Sequence, residues 1–279
     1  MPVDYVVPAD VAAALEMRGA GYTVLAGGTD LYPQHVGRSM PKRLVDIGGL
    51  AELRGIVETP GGFRLGATTR WADVAATDLP RAFDGLRAAA REVGAVQVQH
   101  AGTIGGNLCN ASPAADGVPV LLTLDASVEL TSATGSRSLP LVSFLAGYRQ
   151  TALEPDELLT AVVVPRVADG ARSAFLKLGL RRYLVISVVM ASAVVVLDAN
   201  GAIAEARVAV GACSPVAQRL RSLESELVGR SAADVDEATV AGHLEGLDPI
   251  DDVRASADYR RVAASALVRR AIVSCGDDR

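Results

Sequence analysis

The chain has 279 residues, a formal charge of −5, 50% apolar residues and 21% charged residues, the balance of a water-soluble globular enzyme. No Lys/Arg stripe interleaved with aromatics is present, which argues against a nucleic-acid partner, and an aromatic content of 4% leaves no stacking platform. Cys109, Cys213 and Cys275 lie far apart and are odd in number, which excludes a disulfide framework and a Cys-only metal site and points to a reducing cytoplasm.

The first residues, Met1 to Tyr5, lack the basic and apolar regions of a secretory signal. Residues 8–20 predict a helix, with proline near its start and glycine near its end. Tyr22 to Ala26 predicts a short strand, a helix follows from Asp30 or Leu31, and Leu44 to Ile47 predicts another strand. Gly55 to Glu58 and Phe63 to Ala67 flank Thr59-Pro60-Gly61-Gly62 and predict a hairpin. Thr69 is placed to cap a helix through Ala76, Pro80 to Val93 is an amphipathic helix, and Asp116 to Leu124 an apolar one. Ser127 to Leu130 and Arg137 to Leu139 predict paired strands, and Glu157 to Val164 a strand ending at Pro165. A third lobe begins near Ala171. Val188 to Leu197 and Ile203 to Val210 flank Asn200-Gly201, a strong hairpin signal. Helices are expected over Pro215 to Val228, Ala232 to Leu244 and Ala255 to Ser274, with a frayed tail from Gly276. The longest apolar stretch, Leu184 to Leu197, contains two serines and falls short of the roughly 20 residues that span a bilayer.

Two glycine pairs carry the chemistry. Val24-Leu25-Ala26-Gly27-Gly28-Thr29-Asp30-Leu31 runs a strand into an expected helix start, where free N–H groups and the helix dipole favour an anion. Thr103-Ile104-Gly105-Gly106-Asn107 gathers further donors, and Ser112-Pro113 then turns the chain toward Asp116. Two such nests predict a ligand with two phosphates held from two sides. A carboxylate at Asp116 suits ribose-type hydroxyls better than phosphate. The same residues also read as turn glycines and helix N-caps, with Thr29, Asp30 and Asp116 as the caps. Neither pair has the three-glycine spacing of a Rossmann fingerprint or the Gly-Lys-Ser/Thr of a phosphate-binding loop. Among His35, His100 and His243 no metal-ligand spacing occurs, and each reads as a surface or locally hydrogen-bonded residue; His100, just upstream of the second pair, is the one worth testing.

At these residues the sequence resembles the FAD-binding medium subunit of molybdenum hydroxylases, the xanthine dehydrogenase and carbon monoxide dehydrogenase group. The resemblance rests on Ala26 to Leu31, on Thr103 to Asn107 followed by Ala111-Ser112-Pro113-Ala114-Ala115-Asp116, and on Tyr259-Arg260-Arg261 ahead of Leu267 to Ala271. It extends over nearly the whole chain. It implies an α+β protein: a two-lobed FAD-binding fold of the vanillyl-alcohol-oxidase type over residues 1–168, divided at 54/55, and a C-terminal lobe with a small antiparallel sheet and helices over 171–279.

The resemblance also implies the site. Val24, Leu25, Ala26, Gly27, Gly28, Thr29, Asp30 and Leu31 would meet the pyrophosphate and nearby flavin atoms. Thr103, Gly105, Gly106 and Asn107 would form the second phosphate nest, with Cys109 and Asn110 near the flavin. Asp116 would take an adenosine-side or ribityl hydroxyl, Leu159 would pack beside flavin or adenine, and Lys177 would bring a positive charge to the isoalloxazine. Read without the resemblance, Cys109 is a buried small hydrophobe and Lys177 a solvated surface lysine. The implied function is electron transfer. A molybdopterin large subunit oxidises substrate, an iron–sulfur small subunit with two [2Fe–2S] clusters relays electrons, and this chain passes them through FAD to NAD⁺, oxygen or another acceptor. A heterotrimer, or its dimer, is the implied assembly. One stretch departs from the family: Arg182-Tyr183-Leu184-Val185-Ile186-Ser187 lacks the acid that many relatives carry there and adds Tyr183, which leaves NAD⁺ open as the acceptor. Two alternatives remain at the level of sequence: a stand-alone flavin enzyme using His100 or Tyr183 as acid or base, and a flavin-free assembly subunit.

Overall fold

The computed structural model describes residues 3–181 and 185–276. In the first lobe Asp4–Val6 (β1) leads to Val11–Gly19 (α1), whose start is fixed by the Asp10 carboxylate accepting the Ala13 N–H at 2.8 Å. Thr23–Leu25 (β2), Leu31–Gln34 (α2) and Arg43–Asp46 (β3) follow. The strands form a parallel three-stranded sheet in the order β1-β3-β2. Parallel neighbours need a crossover, and the connection from β2 to its neighbour β3 carries α2. The lobe's core is small: Ala14, Leu15, Val45, Ile47, Leu50 and Leu53, completed by Leu158 from the second lobe.

The second lobe opens with Ile56–Thr59 (β4) and Gly62–Gly66 (β5). Five helices follow: Trp71–Ala76 (α3), Asp84–Glu92 (α4), Val96–Ala101 (α5), Ile104–Asn110 (α6) and Gly117–Thr123 (α7). Ser127–Ser132 (β6) and Gly135–Pro140 (β7) pair as a hairpin. Leu141–Phe144 (α8) and the small pair Leu145–Gly147 (β8) and Gln150–Thr151 (β9) lead to Leu158–Pro165 (β10). The five-stranded sheet is antiparallel, in the order β4-β5-β10-β6-β7. Trp71, Phe83, Leu86, Leu108 and Leu121 pack between it and the helices.

The third lobe pairs Arg172–Leu178 (β11), Val189–Leu197 (β12), Ile203–Gly211 (β13) and Gln218–Arg219 (β14) antiparallel in that order. Arg221–Leu227 (α9), Glu237–Ala241 (α10) and the 20-residue Ala257–Gly276 (α11) cover one face. Successive side chains of a strand point to opposite faces. Val189, Ala191, Ala193 and Val195 of β12 therefore pack under α11, while Met190 and Val194 join the core of the second lobe. Burial on both faces is why β12 reads as an unbroken apolar run.

Several elements differ from expectation. Thr69 does not cap α3; its hydroxyl donates to the Gly55 carbonyl at 3.1 Å, and Asp73 takes the Arg70 N–H instead. The expected helix over 215–228 shrinks to α9, because Gln218 and Arg219 pair with β13. The stretch 232–244 holds only a single 3-10 turn, Ala232–Asp234, and α10. Strands β1 and β11, helices α5 and α8 and the β8–β9 pair were not anticipated. Gly276 ends α11, and the rest of the expected frayed tail lies outside the described residues.

Candidate functional site

A cleft of about 760 Å³ opens between the lobes, a size within the usual range for ligand pockets. β2 runs into its floor. There the chain turns at Gly28, whose φ of +68° and approach to the Tyr32 ring leave no room for a side chain. Gly27 is constrained differently: a Cβ on it would lie 2.0 Å from the Ala101 carbonyl oxygen at the end of α5. First and second lobes meet backbone to backbone at this point.

Among the described residues, the N–H groups of Gly27, Gly28, Thr29, Asp30 and Leu31 donate to nothing in the protein. Asp30 makes no side-chain cap to α2, so the N-capping reading fails there. A contiguous run of unspent amides lines the cleft, which is the physical requirement for an anion nest.

The second glycine pair differs from the expected open nest. Residues 104–110 form α6, with Thr103 as its cap. The N–H groups of Ile104 and Gly105 donate to the carbonyls of Thr69 and Ala67, that of Gly106 to Thr103 Oγ1 at 3.1 Å, and that of Asn107 to the Thr103 carbonyl. These donors are spent in holding the helix in place. Gly105 faces the protein, since a Cβ there would meet Ala67 at 2.8 Å, while Gly106 is open to the cleft. What α6 offers the cleft is side-chain chemistry. Asn107 Oδ1 is buried without a hydrogen-bond partner, an unusual state for a buried acceptor.

All the residues expected at the site line this one cleft: Val24 to Leu31, Thr103, Gly105, Gly106, Asn107, Cys109, Asn110, Asp116, Leu159 and Lys177. Asp116 and Lys177 also find each other. Lys177 Nζ lies 2.7 Å from Asp116 Oδ2, and both side chains are under a tenth exposed, so Lys177 is not a surface lysine. Nor does the Asp116 side chain cap α7. Burial pushes the Asp116 carboxyl above its ordinary range, and Lys177 and the Ser187 hydroxyl pull the other way. The Cys109 thiol opens on the cleft, yet the protein massed around it raises it, against the pull of Arg18, and keeps it a neutral thiol. Asn110 accepts from Arg149 at 2.6 Å. His100 is exposed, does not line the cleft and bonds the Val96 carbonyl through Nδ1 at 2.8 Å. Tyr183 lies outside the described residues.

Sequence reasoning missed Arg18, Val98, Gly102, Leu153, Glu157, Leu158, Val185 and Ile186 among the cleft walls. Arg18 carries no local signal, since basic residues are common in the last turn of a helix. It reaches across the lobes to the Glu157 carbonyl at 3.3 Å, a contact only the fold creates.

Residues 1–167 match the family model of the FAD binding domain in molybdopterin dehydrogenase, and residues 174–275 that of the CO dehydrogenase flavoprotein C-terminal domain. The chain is an FAD-binding subunit of the molybdenum hydroxylase family. It is 32% identical over 275 residues to the 6-hydroxypseudooxynicotine dehydrogenase complex subunit alpha of Paenarthrobacter nicotinovorans, covering 96% of this chain and 93% of that one. It is 30% identical to the carbon monoxide dehydrogenase medium chain of Hydrogenophaga pseudoflava, covering 94% and 92%. Among solved structures, a chain of Cu,Mo-CO dehydrogenase superposes with a TM-score of 0.93 at 27% identity over 99% of both chains. A chain of quinoline 2-oxidoreductase from Pseudomonas putida 86 superposes at 0.88 with 28% identity, covering 99% of this chain and 97% of that one.

The fold is thus that of a two-lobed FAD-binding domain with a C-terminal lobe, and the protein is an oxidoreductase subunit. The cleft fits the cofactor of such a subunit. Unspent amides suit a diphosphate, the orphaned Asn107 oxygen suits a hydroxyl or ring N–H donor, and the apolar walls Leu158, Leu159, Val185 and Ile186 suit flat rings.

Proposed function

We propose that this chain is the electron-exit subunit of a cytoplasmic molybdenum hydroxylase. It holds FAD between its lobes and receives electrons from the [2Fe–2S] clusters of a small partner subunit. A large partner carrying molybdopterin supplies them, and a terminal acceptor such as NAD⁺ or oxygen removes them. FAD, when bound, supplies a ring that takes up and gives back two electrons; the protein supplies binding, orientation and electrostatics. The division of labour places cofactor binding in residues 1–168 and support of the cleft's far wall in residues 171–279.

The observation that carries the reading is the run of free amides from Gly27 to Leu31 on the floor of a cleft that also holds the buried Asp116–Lys177 pair. In the proposed site the amides bind the diphosphate, Asn107 and Thr103 take hydroxyl or ring polar atoms, and Lys177 places its charge toward the ring system. Of the two candidate bases named from the sequence, His100 stands outside the cleft wall, which weighs against a stand-alone flavin enzyme, and Tyr183 lies outside the described residues. Names such as "complex subunit" and "medium chain" among the relatives support a multi-subunit assembly. No helix among the described residues is long and apolar enough to cross a membrane.

The test is to purify the chain alone and together with the products of neighbouring reading frames. The expected result is a yellow chain that releases FAD on denaturation, oxidises no organic substrate by itself, and is reduced by substrate only when an iron–sulfur and a molybdopterin subunit co-purify. Substrate turnover by the lone chain overturns the reading.

A further inference from the structure

The Asp116–Lys177 pair is held by a third residue from outside both glycine motifs. Ser187 Oγ donates to Asp116 Oδ1 at 2.7 Å, and Ser187 is 2% exposed. Lys177 Nζ donates to Asp116 Oδ2 at 2.7 Å and to the Glu92 carbonyl at 3.1 Å. Three chain segments converge: the residue before α7, the sixth residue of β11, and the residue two before β12. Val188, next to Ser187, is itself fixed from both sides. Its N–H donates to the Leu178 carbonyl at 2.7 Å, and its carbonyl accepts from Arg260 Nη1 at 2.6 Å. Ser187 therefore sits on an anchored backbone, and its single proton has a defined target.

We propose that Ser187 is a positioning residue for the cofactor: its hydroxyl holds the Asp116 carboxylate against Lys177 and so fixes the charge presented to the ring system at this end of the cleft. The proposal rests on the cleft being the FAD site. Val185 and Ile186 make the neighbouring wall apolar, so the pair acts in poorly screened surroundings where the placement of one proton matters. Among the described residues, the groups that face Asp116 are Lys177 on β11, the Ser187 hydroxyl and, at longer range, the Glu92 charge at the end of α4. Glu92 and burial both push the carboxyl up; Lys177 and Ser187 oppose them. Removing the serine hydroxyl takes away one of the two opposing groups, so the pair picks up a proton at higher pH. The cleft then gains positive charge, which stabilises a reduced, anionic ring and raises its potential.

The experiment measures the FAD midpoint potential against pH in the FAD-loaded complex for the wild type, Ser187→Ala and Ser187→Thr, with FAD content measured in each. The expected result is that Ser187→Ala keeps its FAD but moves the inflection of the potential–pH curve upward by about one pH unit. Ser187→Thr, which keeps the hydroxyl, restores the wild-type curve. A Ser187→Ala curve that superimposes on the wild type, with FAD bound, overturns the proposal. If Ser187→Ala does not fold, Ser187→Cys replaces a strong donor by a weak one and is read in the same way. Failure of the underlying site reading shows separately: Gly106→Ala, whose new methyl would face the cleft, would then leave FAD affinity unchanged, and both ideas fall.

Discussion

Gly27 and Gly106 belong to look-alike pairs, yet the structure asks different things of them. Gly27 is a contact between lobes, and a methyl there collides with backbone at Ala101. Gly106 is a helical residue open to the cleft, where a methyl meets only the Thr103 hydroxyl that caps α6, at 2.9 Å. Gly27→Ala is therefore expected to lower stability by about 3 kcal/mol, the upper end for overpacking, and to weaken FAD together with it. Gly106→Ala is expected to change stability by no more than about 1 kcal/mol, since the helix preference of alanine offsets the disturbed Thr103 cap, while still weakening FAD by at least about tenfold. Urea melts of the apo-protein paired with flavin-fluorescence titrations separate the two. Equal stability loss in both variants would contradict the distinction. From sequence, both pairs looked like open nests, because nothing local reveals that Thr69, Ala67 and Thr103 already accept the α6 amides. The Asp116–Lys177 contact was equally hidden, as each residue had its own plausible partner and 61 positions separate them.

At the level of elements, what was legible followed pattern strength. The hairpin at Asn200-Gly201, closed by a five-residue loop over 198–202, the apolar β12 and the amphipathic stretch around α4 all appear, because turn residues and burial periodicity are local signals. Helix α6 was illegible as a helix since two glycines oppose helix formation; Thr103 capping and the tight approach of Gly105 to Ala67 override that propensity. The start of α11 shows a similar tertiary hold. Asp252 accepts the Arg254 and Ala255 N–H groups and pairs with Arg254 and the buried Arg260. Arg260, quoted from the sequence only as part of a family motif, thus ties α11 to the strand start at Val188. Burial pushes the Asp252 carboxyl up, but these donors outweigh it and hold it down at about 2. A carboxylate held below its ordinary value adds stability above about pH 4, and that share is lost as the pH falls toward 2. Asp252→Asn is accordingly expected to be less stable than the wild type near neutrality by about 1.5–3 kcal/mol, the range for a hydrogen bond to a charged group. The gap should close between pH 4 and 2. Chemical denaturation across that range checks it, and a gap constant with pH would show that the carboxylate charge is irrelevant there.

Across the whole molecule, the lobes are unequal in how they hold themselves together. The third lobe has a long helix against a four-stranded sheet and a continuous apolar core. The first lobe has a short parallel sheet, and Leu158 of the second lobe completes its core. Its other ties to the second lobe run through the Leu53 carbonyl, which accepts from the Thr68 N–H and hydroxyl, the Arg54–Asp73 ion pair, Arg18 to the Glu157 carbonyl, and the Gly27 loop against Ala101. A ligand seated on the amides of Gly27 to Leu31 would bridge the first lobe to α6 and to Asp116. Binding to the folded state alone stabilises it by about 2.7 kcal/mol when free ligand is a hundredfold above its dissociation constant. Because local opening follows local contact density, that stabilisation should be distributed unevenly. Removing FAD is therefore expected to speed amide exchange through residues 4–46 and 104–110 while β12 and β13 exchange as slowly as before. Hydrogen–deuterium exchange with mass spectrometry on FAD-loaded and stripped protein reads this directly. A uniform increase over all three lobes would mean that the cofactor secures the fold as one unit, and that the thin first lobe is not the part that depends on it.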